Sequence, residues 1–431
     1  MIRLKLTLLL ATTLLLAATS AFAGGIYLTE LGTPVSLGTA GSANVVNNKT
    51  ADAAYTNPAG MTGIKDDVLL SGVQILIPQV RFDSDIAEAG GSDGGNAASA
   101  VPIPSLFVVK KLPNDFTAGI AITAPLGGGV DYGSNFVGRY QANRSMLSGV
   151  GLSSSVGYKI NDQWSIGAGV TAIYTVMDSD VSIKQEEKLP NDEIMPLPDG
   201  EININQIDGW SPQGFFSVNW QPTQKVLFGL LYRTKSSVEL DGDLSVKGIQ
   251  NELINEITGN LDDIKVDLDY AQLISVGVQY QATDYLTLVA DFDWEDWSEL
   301  GKERIEIGGL PTGPVIQHAD FKWKDTYHVG AGAIYKLDDG GKFVSGGLGY
   351  DSSPVDDKDR TFILPIDEQF KFGVAFGKDS PTREDLSYSI GCSYTWFGDG
   401  KIDQTAQGVR TKGEFSTNYA VFLGATLRYY F

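Results

Sequence analysis

Trp164-Ser165-Ile166-Gly167-Ala168-Gly169-Val170-Thr171-Ala172-Ile173-Tyr174-Thr175-Val176 is the stretch on which the fold turns. Its even-numbered positions are apolar, with aromatic residues near both ends, and the odd-numbered ones are mostly glycine or hydroxylated. Successive side chains of a strand point to opposite faces, so the stretch predicts a two-faced strand, well beyond the usual five or six residues. The pattern recurs along the chain. Phe116, Ala118, Ile120 and Ile122 alternate with Thr117, Gly119, Ala121 and Thr123. Val226, Phe228, Leu230 and Tyr232 alternate with a second face that ends in Arg233. Leu286, Leu288, Ala290, Phe292 and Trp294 alternate with a face holding Asp291 and Asp293. Trp323, Tyr327, Val329, Ala331, Ala333 and Tyr335 alternate with Lys324, His328 and Lys336. Phe370, Phe372, Val374 and Phe376 alternate with Lys371, Gly373 and Gly377. Leu386, Tyr388, Ile390, Cys392, Tyr394 and Trp396 form a further row, and the last runs from Tyr419 to the terminal Phe431.

In a soluble sandwich the second face of such strands is charged and wet. Here it is glycine, serine and threonine with isolated charges, while Tyr and Trp gather near strand ends as in the aromatic girdles of membrane barrels. No apolar run after the first residues reaches the length of a spanning helix, but a closed barrel satisfies its backbone in lipid without one. Connections alternate in length. Short ones lie at Pro113-Asn114, Asn161-Asp162, Gln221-Pro222-Thr223, Ala282-Thr283-Asp284 and Asp338-Asp339-Gly340-Gly341. Long ones cover 84–100, 127–146, 179–208, 241–267, 298–320, 352–367 and 399–412. Seven long loops alternating with short turns predict 14 strands, the first starting near Asp67 and the last ending at Phe431. The expected fold is an all-β, 14-stranded antiparallel transmembrane β-barrel over residues 66–431.

Two N-terminal segments stand apart. Residues 1–23 read as a signal peptide: Arg3 and Lys5, a largely apolar stretch of thirteen residues from Leu6 to Ala18, then Ala21-Phe22-Ala23 as the cleavage pattern. Residues 24–65 are small and polar, with Gly32, Pro34, Gly38, Asn47, Asn57, Pro58 and Gly60, and never alternate for long. They predict a periplasmic tail or a plug folded in the lumen, and the many small residues suit a compact insert better.

Composition removes other classes. The chain carries 53 acidic against 32 basic residues, a net charge of −21, so nucleic acid is not an expected partner. One cysteine and two histidines leave no material for a disulfide or a usual zinc site, and no cofactor or metal is expected. A serine–histidine hydrolase is not expected either, since His328 falls on the inward face and His318 in a loop.

Several ordered segments resemble the FadL-type outer-membrane transporters of long-chain fatty acids and other hydrophobic compounds. Leu31-Gly32 with Ala51-Asp52-Ala53-Ala54-Tyr55-Thr56-Asn57-Pro58-Ala59-Gly60 looks like the family's N-terminal hatch. Phe136-Val137-Gly138-Arg139-Tyr140, then Asp293-Trp294-Glu295-Asp296-Trp297-Ser298 and Phe321-Lys322-Trp323-Lys324-Asp325-Thr326-Tyr327, are similar to later family segments. So is Gly349-Tyr350-Asp351-Ser352-Ser353-Pro354-Val355 with Leu364-Pro365. The resemblance implies a barrel closed by a lumenal hatch, capture of a hydrophobic ligand among outer loops, and sideways exit at a kinked third strand. Asn57, Pro58 and Ala59 are then the hatch motif lying against the kink. The third strand runs into Pro125 and Gly127-Gly128-Gly129, residue types that break ladders, so the kink is expected there; an ordinary strand end is the alternative.

Arg139, Arg144, Lys322 and Lys324 are the candidate cations for a carboxylate ligand, with rim or loop charges as the plainer alternative. Ile254, Ile257 and Leu261, with Ile249, Leu253 and Ile264, have helical spacing in their loop and are candidates for an apolar capture surface. Residues 178–208 hold nine acids and two lysines, a solvated outer loop or one bridged through divalent cations to lipopolysaccharide. The expected function is a monomeric uptake channel, in the outer membrane of a Gram-negative bacterium, for a fatty acid, alkane or aromatic hydrocarbon. The alternatives are a general porin for polar solutes and a structural or adhesive surface protein.

Overall fold

The structure is a computed structural model, and it describes residues 31–309, 313–379 and 387–431. The expected signal peptide, residues 24–30 and Leu386 lie outside the described residues. The strands, in chain order, begin with β1 (Val68–Ala87), β2 (Val101–Lys111), β3 (Phe116–Asp131), β4 (Arg144–Lys159), β5 (Trp164–Lys188), β6 (Ile194–Thr223) and β7 (Val226–Arg233). They continue with β8 (Ser236–Lys247), β9 (Asp263–Tyr270), β10 (Leu273–Gln281), β11 (Leu286–Glu295), β12 (Lys302–Ile307) and β13 (Val315–Asp320). The last are β14 (Thr326–Lys336), β15 (Lys342–Asp351), β16 (Gln369–Lys378), β17 (Ser387–Trp396), β18 (Lys401–Ala406) and β19 (Val409–Tyr430). Among the described residues there are four short α-helices, two before β1 and two between strands: α1 (Pro34–Gly38), α2 (Ala53–Thr56), α3 (Glu252–Thr258) and α4 (Trp297–Leu300).

Fourteen of these strands close the barrel, in the ring β1-β2-β3-β4-β5-β6-β7-β10-β11-β14-β15-β16-β17-β19 and back to β1. All neighbours are antiparallel, and β1 meets β19 in register from Val68↔Tyr430 to Ala87↔Thr411, with two register shifts on the way. Closure leaves no open edge to face lipid, which is what makes a spanning sheet tolerable. The outward rows are the apolar ones: Val150 is 55 %, Leu348 62 %, Ile390 60 % and Leu427 55 % exposed. Such rows would be costly in water and are matched to hydrocarbon.

Aromatic rings mark the two edges of this belt. Phe116 stacks near Tyr158 at 4.7 Å, and Trp164, Trp220 and Phe228 follow with centroids 5.6 and 5.3 Å apart. At the opposite edge lie Tyr174 with Trp210 at 5.1 Å, Tyr350 with Phe370 at 5.1 Å, and Phe370 with Trp396 at 5.8 Å. Trp164 and Tyr174 are ten residues apart on one strand. At about 3.3 Å per residue and a tilt of about 40°, that separation is roughly 25 Å along the barrel axis, the height of an outer-membrane apolar band.

The outer loops are more ordered than a loop reading expected. Of residues 179–208 only 189–193 form a loop: β5 and β6 run on as a ribbon, paired as far as Lys188↔Ile194. Outside the ring, β8, β9, β12 and β13 pair in sequence into a small sheet, joined to β6 through β8. The inner face of this cap carries Leu240, Val266, Leu268, Ile305 and Ile307, all buried in one apolar core. The helical spacing at 249–264 yields only the seven residues of α3; Ile264 belongs to β9.

Candidate functional site

Residues 31–64 lie inside the barrel. The glycines of the inward rows make room for them, because a Cβ there would strike the segment's backbone. At Gly373 it would come within 2.0 Å of the Leu37 carbonyl oxygen, at Gly229 within 2.1 Å of that of Val45, and at Gly167 within 2.4 Å of the Ala59 nitrogen. The segment packs Leu37, Val45, Val46 and Met61 against the wall, and a buried carboxylate organises its polar interior. Asp52 accepts from Thr33 Oγ1 at 2.7 Å, from Asn47 Nδ2 at 2.8 Å and from Thr50. Inward hydroxyls then tie the segment to the wall. Ser217 Oγ accepts from the Ala59 N–H at 2.7 Å, Ser165 Oγ donates to the Ala59 carbonyl at 3.0 Å, and Ser155 Oγ donates to that of Ala54 at 2.8 Å. Asn57 Nδ2 reaches the Val45 carbonyl at 2.7 Å and Asn219 Oδ1 at 2.9 Å. The residues of the Asn57-Pro58-Ala59 motif are fully or almost fully buried, on the inner faces of β4, β5 and β6.

The wall itself is incomplete. β1 and β2 pair without interruption from Val68↔Val109 to Leu76↔Val101, but β2 and β3 pair only between Lys111↔Thr117 and Leu106↔Ile122. Beyond that point β3 bulges between Thr123 and Leu126 and continues against β4 alone, up to Asp131↔Arg144. Both sides contribute. Pro125 sits in the bulge, and Pro102 and Pro104 of β2, two residues apart, remove the N–H donors of one edge. Gly127, Gly128 and Gly129 stay within β3 on its unpaired stretch.

A cavity of about 580 Å³ opens at this gap, within the roughly 300–1,000 Å³ usual for small-molecule sites. Its lining crosses the wall. Thr123, Lys371, Thr395 and Phe422 belong to inward rows, whereas Val101, Ile122 and Val150 are outward residues of the belt. A second cavity, of about 570 Å³, lies at the periplasmic mouth and is roofed by Pro34, Val35 and Asn47 to Thr50 of the segment. The two share no lining residue.

Lys371 lines the wall cavity and pairs with Asp351 at 3.0 Å. Asp351 in turn meets His328 Nδ1 at 2.6 Å, and His328 Nε2 faces Asp291 at 3.7 Å. Gln369 stands beside Lys371 in the same lining. Arg233 lies deeper, in a pocket of about 80 Å³ with Tyr55, Thr56, Pro125, Asp293 and Glu295.

The cations expected from sequence separate. Arg144 alone lines the wall cavity, at its outer rim. Arg139 is a pin between loops: Nε donates to Asp199 at 2.8 Å, Nη1 to the Gly90 carbonyl at 2.8 Å and Nη2 to that of Ala89 at 3.1 Å. Burial and the Asp199 bond push the neighbouring Tyr140 phenol up to about 12, so it remains a donor. Lys322 and Lys324 are exposed outside the barrel ring, each on its own carboxylate, Asp320 and Asp356. Lys324 precedes β14 and does not share the inward row of His328. Ile254 and Leu261 are buried in the cap core with Ile257 packed against it, and the wall cavity is not lined by them. Sequence reading passed over Lys371 and Arg233. The signal was present in both cases, a single cation on an otherwise small or apolar inward row.

A closed barrel of fourteen strands, a lipid-facing belt and a cavity crossing the wall frame the comparison with known proteins. A family model described as "Outer membrane protein transport protein (OMPP1/FadL/TodX)" matches residues 14–431. The chain belongs to this family. Within the OMPP1/FadL/TodX proteins, it is similar to the "Long-chain fatty acid transport protein" of Escherichia coli O6:H1, 23 % identical over 408 residues that cover 89 % of this chain and 90 % of the relative. It is also similar to "Outer membrane protein P1" of Haemophilus influenzae, 23 % identical over 425 residues, covering 88 % of each. Among solved structures, a Pseudomonas aeruginosa FadL homologue superposes with a TM-score of 0.83 at 21 % identity, over 95 % of this chain and all of that one. The Pseudomonas putida toluene transporter TodX does so with a TM-score of 0.68 at 15 % identity, covering 94 % and 99 %. Family membership and the barrel place the chain in the outer membrane of a Gram-negative bacterium.

Proposed function

We propose that this member of the family is a passive uptake channel for long-chain fatty acids and comparable hydrophobic molecules. A ligand captured outside enters the wall cavity and leaves sideways through the gap between β2 and β3 into the outer leaflet. Residues 24–65 act as the hatch that bars the axial route. The observation that carries this reading is the cavity whose lining passes from Lys371 and Thr395 on the inner face to Val101 and Val150 on the lipid face. An acyl chain gains about 0.8 kcal/mol for each methylene moved out of water. A side exit keeps that gain throughout, whereas a water-filled axial pore forfeits it. Lys371, with Gln369 beside it, meets the carboxylate of an acid ligand. A charge-assisted hydrogen bond contributes about 1.5–3 kcal/mol, so Lys371→Met should weaken oleate binding about tenfold or more and leave an uncharged hydrocarbon unaffected.

The test compares oleate uptake with sugar flux in proteoliposomes. Labelled oleate should enter the bilayer while sugars cause little swelling. Strong sugar flux without oleate uptake would favour a general porin, and neither activity would favour a surface-structural role.

A further inference from the structure

The second cavity, at the periplasmic mouth, brings together two lysines that no acid neutralises. Lys336 ends β14 on the inward row, two residues beyond Ile334, and Lys49 stands in the lumenal segment between α1 and α2; both line the cavity. Neither ammonium forms an ion pair or a hydrogen bond among the described residues. The two are close enough to repel: the surrounding protein and the Lys336 charge hold the Lys49 pKa below the usual lysine value, with Asp379 opposing. In a chain of 53 acidic against 32 basic residues, a pair of neighbouring cations without carboxylate partners is a departure from the rest of the molecule. The acids of the lining are engaged or peripheral. Asp379 is held by Arg428 and the Tyr430 hydroxyl, and Asp338 by Lys342, whereas Asp284 and Asp339 stand exposed in the two turns at the rim. Val35 of the segment, with Ile334 and Phe343 of the wall, gives the cavity an apolar side.

We infer that this cavity is a binding site for a small organic dianion from the periplasm, a dicarboxylate with a short aliphatic body. The two ammonium groups stand on separate elements, one on the segment and one on the wall, and so suit two separate negative charges. Each donates charge-assisted hydrogen bonds to one carboxylate, and the bound charges cancel the repulsion between the lysines. A lysine is a compact charge on a flexible stem, so the pair adapts to the spacing of the two carboxylates. The methylenes between them lie against Val35, Ile334 and Phe343 and leave water there. A neutral molecule of the same length offers the lysines nothing, and inorganic phosphate leaves the apolar side uncovered. This cavity and the wall cavity share no lining residue. The occupant is therefore a different molecule from the one carried through the wall, and the inference does not depend on the transport reading.

The experiment uses the full chain in nanodiscs, which leave the periplasmic mouth open, with suberate, octane-1,8-diol and inorganic phosphate as probes. Binding is read by calorimetry, and the acetylation rate of each lysine is read by mass spectrometry. Suberate should bind saturably and slow the acetylation of Lys49 and Lys336, with exposed Lys322 outside the ring unchanged; the diol should do neither. Lys49→Met and Lys336→Met should each weaken suberate about tenfold, the loss of one charge-assisted hydrogen bond, and Lys322→Met should not. Suberate that protects neither lysine overturns the inference, as does equal binding of the diol or parental affinity in both variants. Protection by inorganic phosphate as strong as that by suberate overturns it too, since charge alone would then suffice. Should either variant fail to fold, the protection measured on the parent decides alone.

Discussion

Glu303 shows how much a single buried group sets the behaviour of the outer cap. Its side chain lies on the inner face of β12 beside Ile305 and Ile307, 2 % exposed, and neither carboxylate oxygen has a partner. Burial pushes its carboxyl from 4.5 up to about 8. An acid whose folded pKa is raised adds stability that is complete below its unfolded pKa and is lost as pH rises through the folded one. The cap should therefore resist proteolysis at pH 6 and yield at pH 9. Glu303→Gln should remove that difference, with cleavage rates normalised to an unstructured peptide. A parent cap equally resistant at both pH values would contradict the prediction. Alternation alone cannot reveal such a residue, since Glu303 falls in a short strand of an outer loop and its burial depends on β9 and β13 closing over it. Lys371 and Arg233 were more legible: their strands alternate cleanly, and each is the lone cation on its inward row. Distinguishing them from Arg139 requires the fold, because Arg139 is consumed by carbonyls and a carboxylate from separate loops.

At the scale of elements, the barrel strands were legible because lipid enforces a strict two-residue period on every one of them. The outer ends were not. The extensions of β5 and β6 are acidic and lose the apolar row, yet cross-strand pairing carries them on to Lys188↔Ile194. The short apolar run at 249–264 was divided between α3 and β9 by tertiary pairing that local spacing does not encode. The inward glycines read in sequence only as a small face. In the structure several are footprints of the lumenal segment, and this gives a prediction. Gly373→Val places its side chain against the Leu37 carbonyl and the Ala40 nitrogen. The variant should keep a folded, heat-modifiable barrel while α1 becomes accessible to protease from the periplasmic side. Protection equal to the parent's would mean that the close approach at Gly373 does not hold α1 in place.

For the whole molecule, the account depends on where the wall is open. The ring closes through fourteen strands, but the ladder between β2 and β3 stops at Leu106↔Ile122, and the cavity at that gap touches both lumen and lipid. The sequence pointed to Pro125 and the three glycines on the β3 side. It did not point to Pro102 and Pro104, because prolines near the start of a strand read as ordinary loop exit until β1 is seen paired along them. The bulge contributes one extra residue between Thr123↔Gly151 and Leu126↔Gly149. Deleting Pro125 restores the register without turning any side chain to the other face, and Pro102→Val with Pro104→Val returns the missing donors. The decisive measurement is uptake of labelled oleate by cells carrying this triple variant, at outer-membrane levels matched to the parent. Sealing the wall should reduce uptake to the level of cells without the protein, whereas uptake equal to the parent's would contradict sideways exit at this gap.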